Sequence, residues 1–159
     1  MERINQILRN KEYKRNLNKI EELEMNRVYC LHNLQHFMDV ARISYIIALE
    51  RGYKVSKEII YATALLHDIG RWREYIDGKD HSIVGAEIAR DILKDCGFSK
   101  EEINMILEAI KKHRKGEGLK TELDFVIYEG DKKSRLCIYC TSIEKCKRFA
   151  NKEKAIVYY

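Results

Sequence analysis

Proline is absent from all 159 residues. At an average usage of about 5%, roughly eight would be expected. The absence excludes Pro-rich linkers, PxxP ligands, cis-proline turns and collagen-like repeats. It also removes the strongest helix breaker. Glycine, at eight residues, leaves few other interruptions, while Lys, Glu, Ile, Leu and Ala are plentiful. Long apolar runs are missing as well. Tyr61–Leu66 is among the longest, and a membrane-spanning helix needs about 20 residues. The expected class is an all-α soluble protein with no membrane partner. The length suits one domain, 1–159, which would bury roughly two-thirds of its unfolded surface.

The first residues, Met1-Glu2-Arg3-Ile4-Asn5, lack the apolar core of a secretory leader. The five cysteines are an odd number. A cytoplasmic, reducing compartment with free thiols is the expectation.

Net charge is +5, from 30 basic and 25 acidic residues, and it is uneven. Lys132–Lys154 holds eight basic and two acidic residues, whereas Thr121–Asp131 holds four acidic residues and no basic one. The basic stretch reads either as a solvated face or as a phosphate-attracting field beside an acidic, metal-holding site. No aromatic-interleaved basic stripe points to nucleic acid.

No repeat or linker divides the chain. Residues 1–29 are polar with sparse apolar positions, suggesting one or two helices laid across the surface. A helix is expected over 30–51, stopped by Gly52, and another over 57–69, apolar nearly all round and therefore central. A loop is expected over 71–80. The next helix, 82–95, should carry Ile83, Ala86, Ala89 or Arg90, and Leu93 near one face. Ser99 to Glu102 reads as a capping box, and Thr121 should cap the last long helix. The tail, 137–159, reads as short helical or irregular structure around cysteines.

Several titratable side chains fall on apolar helical faces. His36 precedes Val40, Ile43 and Ile47 by four, seven and eleven positions. His113 follows Ile110 by three, and Asp131 follows Ile127 by four. His67 and Asp68 end the most buried helix, and His81 opens the next long one. Each alone is explained as a hydrogen-bonded core residue. Together they are costly to bury unless a metal unites them. Imidazoles and carboxylates without thiolates suit iron, manganese, cobalt, nickel or zinc, and argue against calcium. One ion would take His36, His67, Asp68 and Asp131. A second would take Asp68, His81 and His113, with Asp68 bridging. His32, four residues before His36, reads as a supporting or surface histidine.

The ordered text His36 to Arg42, Leu65-Leu66-His67-Asp68, His81 to Glu87, Ala109 to His113 and Gly130-Asp131-Lys132 resembles the HD-domain superfamily of metal-dependent phosphohydrolases. The resemblance spans roughly residues 30–136. It implies a compact helical bundle with His36, His67, Asp68 and Asp131 as core ligands. His81 and His113 resemble the extra pair of a two-metal branch, which includes symmetrical bis(nucleosyl)-tetraphosphate hydrolases and cyclic-dinucleotide phosphodiesterases. It implies catalysis at Asp68 by metal-bound hydroxide on a phosphate ester or anhydride, of a nucleotide or dinucleoside polyphosphate. Arg71 comes three residues after Asp68 and Lys132 directly after Asp131, so they are read as catalytic and substrate-binding cations; a surface ion pair or a partner to a ligand carboxylate is the alternative for each. Two other functional readings stand beside hydrolysis: a non-catalytic metal- or nucleotide-binding signalling module, and an HD-type di-iron oxygenase.

Cys137, Cys140 and Cys146 lie within ten residues. They suggest a structural zinc or iron–sulfur site, with a fourth ligand from Cys30, His32 or Cys96. Small apolar thiols in a helical tail are the plainer alternative.

Overall fold

Five of the helices begin where a short polar side chain takes up otherwise orphaned N–H groups. In the computed structural model, which describes residues 1–151 and 154–157, eight α-helices and no strand occur among the described residues. Lys152, Glu153, Tyr158 and Tyr159 of the expected tail lie outside the described residues.

Helix α1 spans Glu2–Arg9, and α2 spans Lys11–Leu23. Between them the Asn10 carboxamide accepts from the N–H groups of Glu12 and Tyr13, at 2.8 and 3.1 Å. These helices do more than lie across the surface. They bury Ile4, Ile7, Tyr13, Leu17 and Ile20 in the core.

Helix α3 is Leu34–Glu50, shorter than the expected 30–51. Asn33 caps it by accepting from the His36 N–H at 3.0 Å. Residues 30–32 stay outside the helix, and the His32 N–H donates to the Glu24 carboxylate at 2.6 Å. Gly52, at φ 66°, follows the helix end. Helix α4, Lys57–Leu66, buries every residue from Ile59 to Leu66 and packs against α1, α3, α6, α7 and α8. It stops three residues before the expected end, and His67–Gly70 form a turn.

The expected loop over 71–80 is largely a helix, α5, Arg71–Asp77. Its charged sequence carries no apolar period. Long-range bonds hold it, among them Trp72 Nε1 to Asn16 Oδ1 at 2.8 Å and Tyr75 Oη to Glu24. Helix α6, His81–Asp95, starts one residue before expectation, at the Asp80 cap. Against expectation Ile83 is exposed at 48%, because the buried face is set by His81, Ser82, Gly85, Ala86, Ala89 and Leu93, and Ile83 falls off it.

Capping boxes at Ser99/Glu102 and Thr121/Asp124 open α7, Lys100–Lys112, and α8, Glu122–Lys133. Three 3-10 turns follow, Cys137–Tyr139, Ile143–Lys145 and Lys147–Phe149. Helix α8 packs on α3 and α7, and α6 packs on α7 and α5. The ends of these helices meet above α4. Among the described residues no helix is long and apolar enough to cross a membrane.

Candidate metal centre

The six inward histidines and aspartates come together at that meeting point. All six are buried. His36, His67, Asp68 and Asp131 form one group, and Asp68, His81 and His113 a second. In each group one ligand atom per residue lies within 4.8 Å of all the others. Helix α3 supplies His36 from its first turn. The turn after α4 supplies His67 and Asp68, α6 opens with His81, His113 caps α7, and α8 supplies Asp131 in its last turn.

Asp68 straddles the two groups. Its Oδ1 lies 3.1 Å from His81 Nε2 and 3.4 Å from His113 Nε2, while its Oδ2 lies 3.2 Å from His67 Nε2. Asp131 Oδ1 lies 3.3 Å from His36 Nε2 and 3.8 Å from His67 Nε2. The ring tautomers follow from the other nitrogens. His67 Nδ1 and His113 Nδ1 each sit 2.6 Å from a backbone carbonyl, of Ala64 and Ile110. A carbonyl only accepts, so each Nδ1 carries a proton, which leaves Nε2 as the nitrogen able to offer a lone pair inward. His81 Nδ1 meets Glu74 in the same manner.

Three buried atoms in this cluster, His67 Nε2, Asp68 Oδ1 and Asp131 Oδ1, have no hydrogen-bond partner. Orphaned buried lone pairs and carboxylate oxygens converging on a point are what a cation repairs. The donor set, imidazole nitrogen with carboxylate oxygen, fits a divalent transition metal.

Electrostatics follow the same geometry. Burial pushes the Asp68 carboxyl up, but His67, His32 and His113 outweigh it and hold it well below the usual carboxylate range. Asp131 is likewise raised by burial and driven far lower by His36 and His67. Burial lowers His67, yet Asp68 and Asp131 lift it to about 9. Burial dominates at His36 and brings it to about 4.

Arg71 and Lys132 stand at the cluster, although neither is a free arm. Arg71 Nη1 approaches His81 Nδ1 at 3.1 Å and Glu74 at 3.3 Å. Lys132 Nζ pairs with Asp131 Oδ2 at 2.5 Å. His32 is buried, so the surface reading is corrected. Its ring holds Glu24 on one side, and its Nε2 lies 3.7 Å from Asp68 Oδ2 on the other. Burial raises the Glu24 carboxyl, but His32 and Tyr75 bring it down to about 2.

Residues absent from the sequence reading complete the rim. Arg114 binds Glu74 and Asp80, each at 3.0 Å. Arg135 Nη2 lies 2.9 Å from His36 Nε2. Arg135 had a sequence signal, its position four residues after Asp131, although α8 ends before it. Glu74 and Arg114 had none, because the segment holding Glu74 read as a loop. A cavity of about 230 Å³ opens over the cluster, walled by Arg71, Arg114, Lys132, Arg135 and Arg148.

Known proteins share this family and fold. The family model described as the HD domain matches residues 33–151. An uncharacterized protein of Clostridium beijerinckii is 42% identical over the full length of both chains. Ribonuclease Y of Mycoplasma mycoides is 30% identical over 112 residues, which make up 70% of this chain and 24% of that one. A bifunctional uridylyltransferase/uridylyl-removing enzyme of Cereibacter sphaeroides is 39% identical over 59 residues, only 6% of its length. The solved structure of a predicted HD superfamily hydrolase from an uncultured Thermotogales bacterium superposes with a TM-score of 0.60 at 25% identity. That superposition covers 87% of this chain and 74% of the other.

Proposed function

The chain belongs to the HD-domain family, and we propose that it is a metal-dependent phosphohydrolase acting on a small nucleotide-like phosphate ester or anhydride. The carrying observation is the set of orphaned atoms, His67 Nε2, Asp68 Oδ1 and Asp131 Oδ1, facing one another beneath a cationic cavity. Divalent ions held there supply a water of lowered pKa and neutralise charge developing on phosphoryl oxygens. His36, His67, Asp68 and Asp131 would hold one ion, and Asp68, His81 and His113 the other.

The remaining chemistry belongs to side chains. Backbone carbonyls and Glu74 fix the His67, His113 and His81 rings with their lone pairs inward, so no reorganisation is needed when ligands bind. Arg71 is lowered by burial but raised more by Asp68, and it stays cationic beside the reacting centre. Arg71, Arg114, Arg135 and Arg148 surround the cavity, and guanidinium groups match phosphate oxygens two at a time. The names of two relatives, a ribonuclease and a uridylyl-removing enzyme, put a nucleotide-derived phosphodiester first among substrates to try.

The test is turnover of phosphomonoesters, phosphodiesters and dinucleoside polyphosphates by protein loaded in turn with iron, manganese, cobalt, nickel and zinc. Metal-dependent release of phosphate or nucleotide, abolished in Asp68→Ala, is the expected result. Full metal occupancy with no turnover on the panel would favour a binding module. Oxygen-dependent spectral change of the reduced iron form would favour an oxygenase.

A further inference from the structure

The three tail cysteines are spaced C-x2-C-x5-C. The fold adds a geometric fact to that spacing. Cys137 opens a 3-10 turn, and the Cys140 N–H donates to the Cys137 carbonyl at 3.1 Å. Side chains three apart in such a turn nearly eclipse, and Cys140, which caps it, stands three after Cys137. The chain then doubles back through two more turns with Cys146 between them, its N–H on the Ile143 carbonyl at 3.1 Å.

The extended strap before α3 brings a fourth thiol to the same place. Ser142 Oγ donates to the Val28 carbonyl at 2.9 Å, and Arg135 Nη1 to the Leu31 carbonyl at 3.1 Å. Cys30 therefore lies in a segment tied to the tail on both sides. Cys30, Cys137 and Cys146 line the mouth of the His–Asp cavity, and Cys30, Cys137 and Cys140 line the recess beside it. The fifth cysteine, Cys96, is buried at the end of α6 and takes no part.

We propose that Cys30, Cys137, Cys140 and Cys146 form a four-thiolate site for a zinc-type divalent ion, which pins the C-terminal tail beside the mouth of the His–Asp cavity. The site stands independently of the reaction proposed for the His–Asp centre.

Three further observations support it. First, among the described residues the tail has no buried apolar side chain. None of the residues in its three 3-10 turns is buried, and Leu136, Ile138 and Tyr139 are exposed at 72%, 54% and 86%. A structural metal supplies the folding energy that such a segment cannot draw from burial. Second, the surroundings suit thiolates. Arg27 Nε donates to the Cys30 carbonyl at 3.0 Å, Arg148 Nη1 is 4.0 Å from Cys137 Sγ, and Lys145 and Lys147 line the adjoining recess. Nearby Lys and Arg offset the double negative charge of four thiolates around one divalent ion. Third, burial raises the Cys137 thiol, and Cys30, Cys140 and Cys146 raise it further, so it stands above its ordinary value although Arg148 lowers it. All four sulfurs thus share one electrostatic neighbourhood. Among the described residues no three of these sulfurs meet the 4.8 Å mutual spacing of the His–Asp groups. Loading the ion would therefore draw the tail inward.

Cobalt substitution of the full chain, purified anaerobically under reducing conditions, tests the site. Sulfur-to-cobalt charge transfer arises only from thiolate ligands, so the His–Asp centre is silent in that band. Wild-type protein and Cys96→Ser should show the band with tetrahedral cobalt features. Cys140→Ser and Cys30→Ser should each lose about a quarter of its intensity or more, as the thiolate count falls from four. His113→Ala should keep it, which separates this site from failure of the His–Asp reading. The wild-type spectrum is decisive even if a variant misfolds. A wild type without the band would overturn the proposal. So would a Cys30→Ser band of unchanged intensity, or a brown chromophore with acid-labile sulfide, which would mark an iron–sulfur cluster.

Discussion

Glu74 accepts from His81 Nδ1 while pairing with Arg71 and Arg114. Burial raises its carboxyl, but His81 and the two arginines outweigh it and hold it below the usual range. It therefore fixes the orientation of a proposed metal ligand without touching the ion. Outer partners of this kind typically change metal affinity by about 10–100-fold. Glu74→Gln should weaken binding of the second ion by that factor and leave the first in place. Two-step metal titration by calorimetry checks this, and equal weakening of both steps would refute it. Glu24 stands to His32 as Glu74 does to His81, and neither pairing was legible in the sequence. Glu24 is eight residues from its histidine and Glu74 seven, spacings that no helix face or turn rule marks as contact.

At the level of elements, the turn bearing His67 and Asp68 is set by a close backbone approach. A Cβ on Gly70 would meet Gly85 N at 2.4 Å, the His81 carbonyl at 2.6 Å and Gly85 Cα at 2.8 Å. These are backbone atoms, so α6 would have to shift away from the turn, carrying His81 from Asp68. Gly70→Ala should cost on the order of 3 kcal/mol in denaturant unfolding. It should also lower occupancy of the second metal group, and an unchanged unfolding midpoint would contradict the packing argument.

Helix α8 depends on Asp124, which accepts from Lys120 N at 2.9 Å, Thr121 N at 3.1 Å and Lys112 Nζ at 2.9 Å. Burial raises this carboxyl, but those bonds bring it below its ordinary value of 3.8. A depressed carboxyl contributes stability that is present above the ordinary value and lost as pH falls through the lower, folded one. Asp124→Asn should therefore destabilise by about 1–3 kcal/mol at neutral pH. The gap to wild type should narrow below about pH 4. Urea melts of both proteins across that range measure it, and a gap independent of pH would count against the ionic account.

The capping boxes before α7 and α8 were readable because Ser99 with Glu102, and Thr121 with Asp124, bond locally. Helix α5 was not readable. Seven mostly charged residues have no period to detect, and partners such as Asn16 and Glu24 lie more than fifty positions away.

Across the whole molecule, the His–Asp cluster joins α3, the α4 turn, α6, α7 and α8, so a ligand there is a ligand of the folded state alone. A free ion at 100 times its dissociation constant should then raise unfolding free energy by about 2.7 kcal/mol. Chelation should lower the melting temperature and metal addition restore it, read by thermal denaturation with circular dichroism. A melting temperature indifferent to metal would argue against the cluster as a binding site.

Along the chain, the helices and the inward phase of His36, His113 and Asp131 were legible. A helix repeats every 3.6 residues, and no proline interrupts the count. That local regularity specifies which side chains share a face. It carries no information on which faces meet. The pairing of His32 with Glu24, the closing of Glu74 and Arg114 over His81, and the arrival of Cys30 beside the tail all came from packing. They join segments separated by loops, and a contact between distant segments is set by how buried surfaces fit, which no short-range period records.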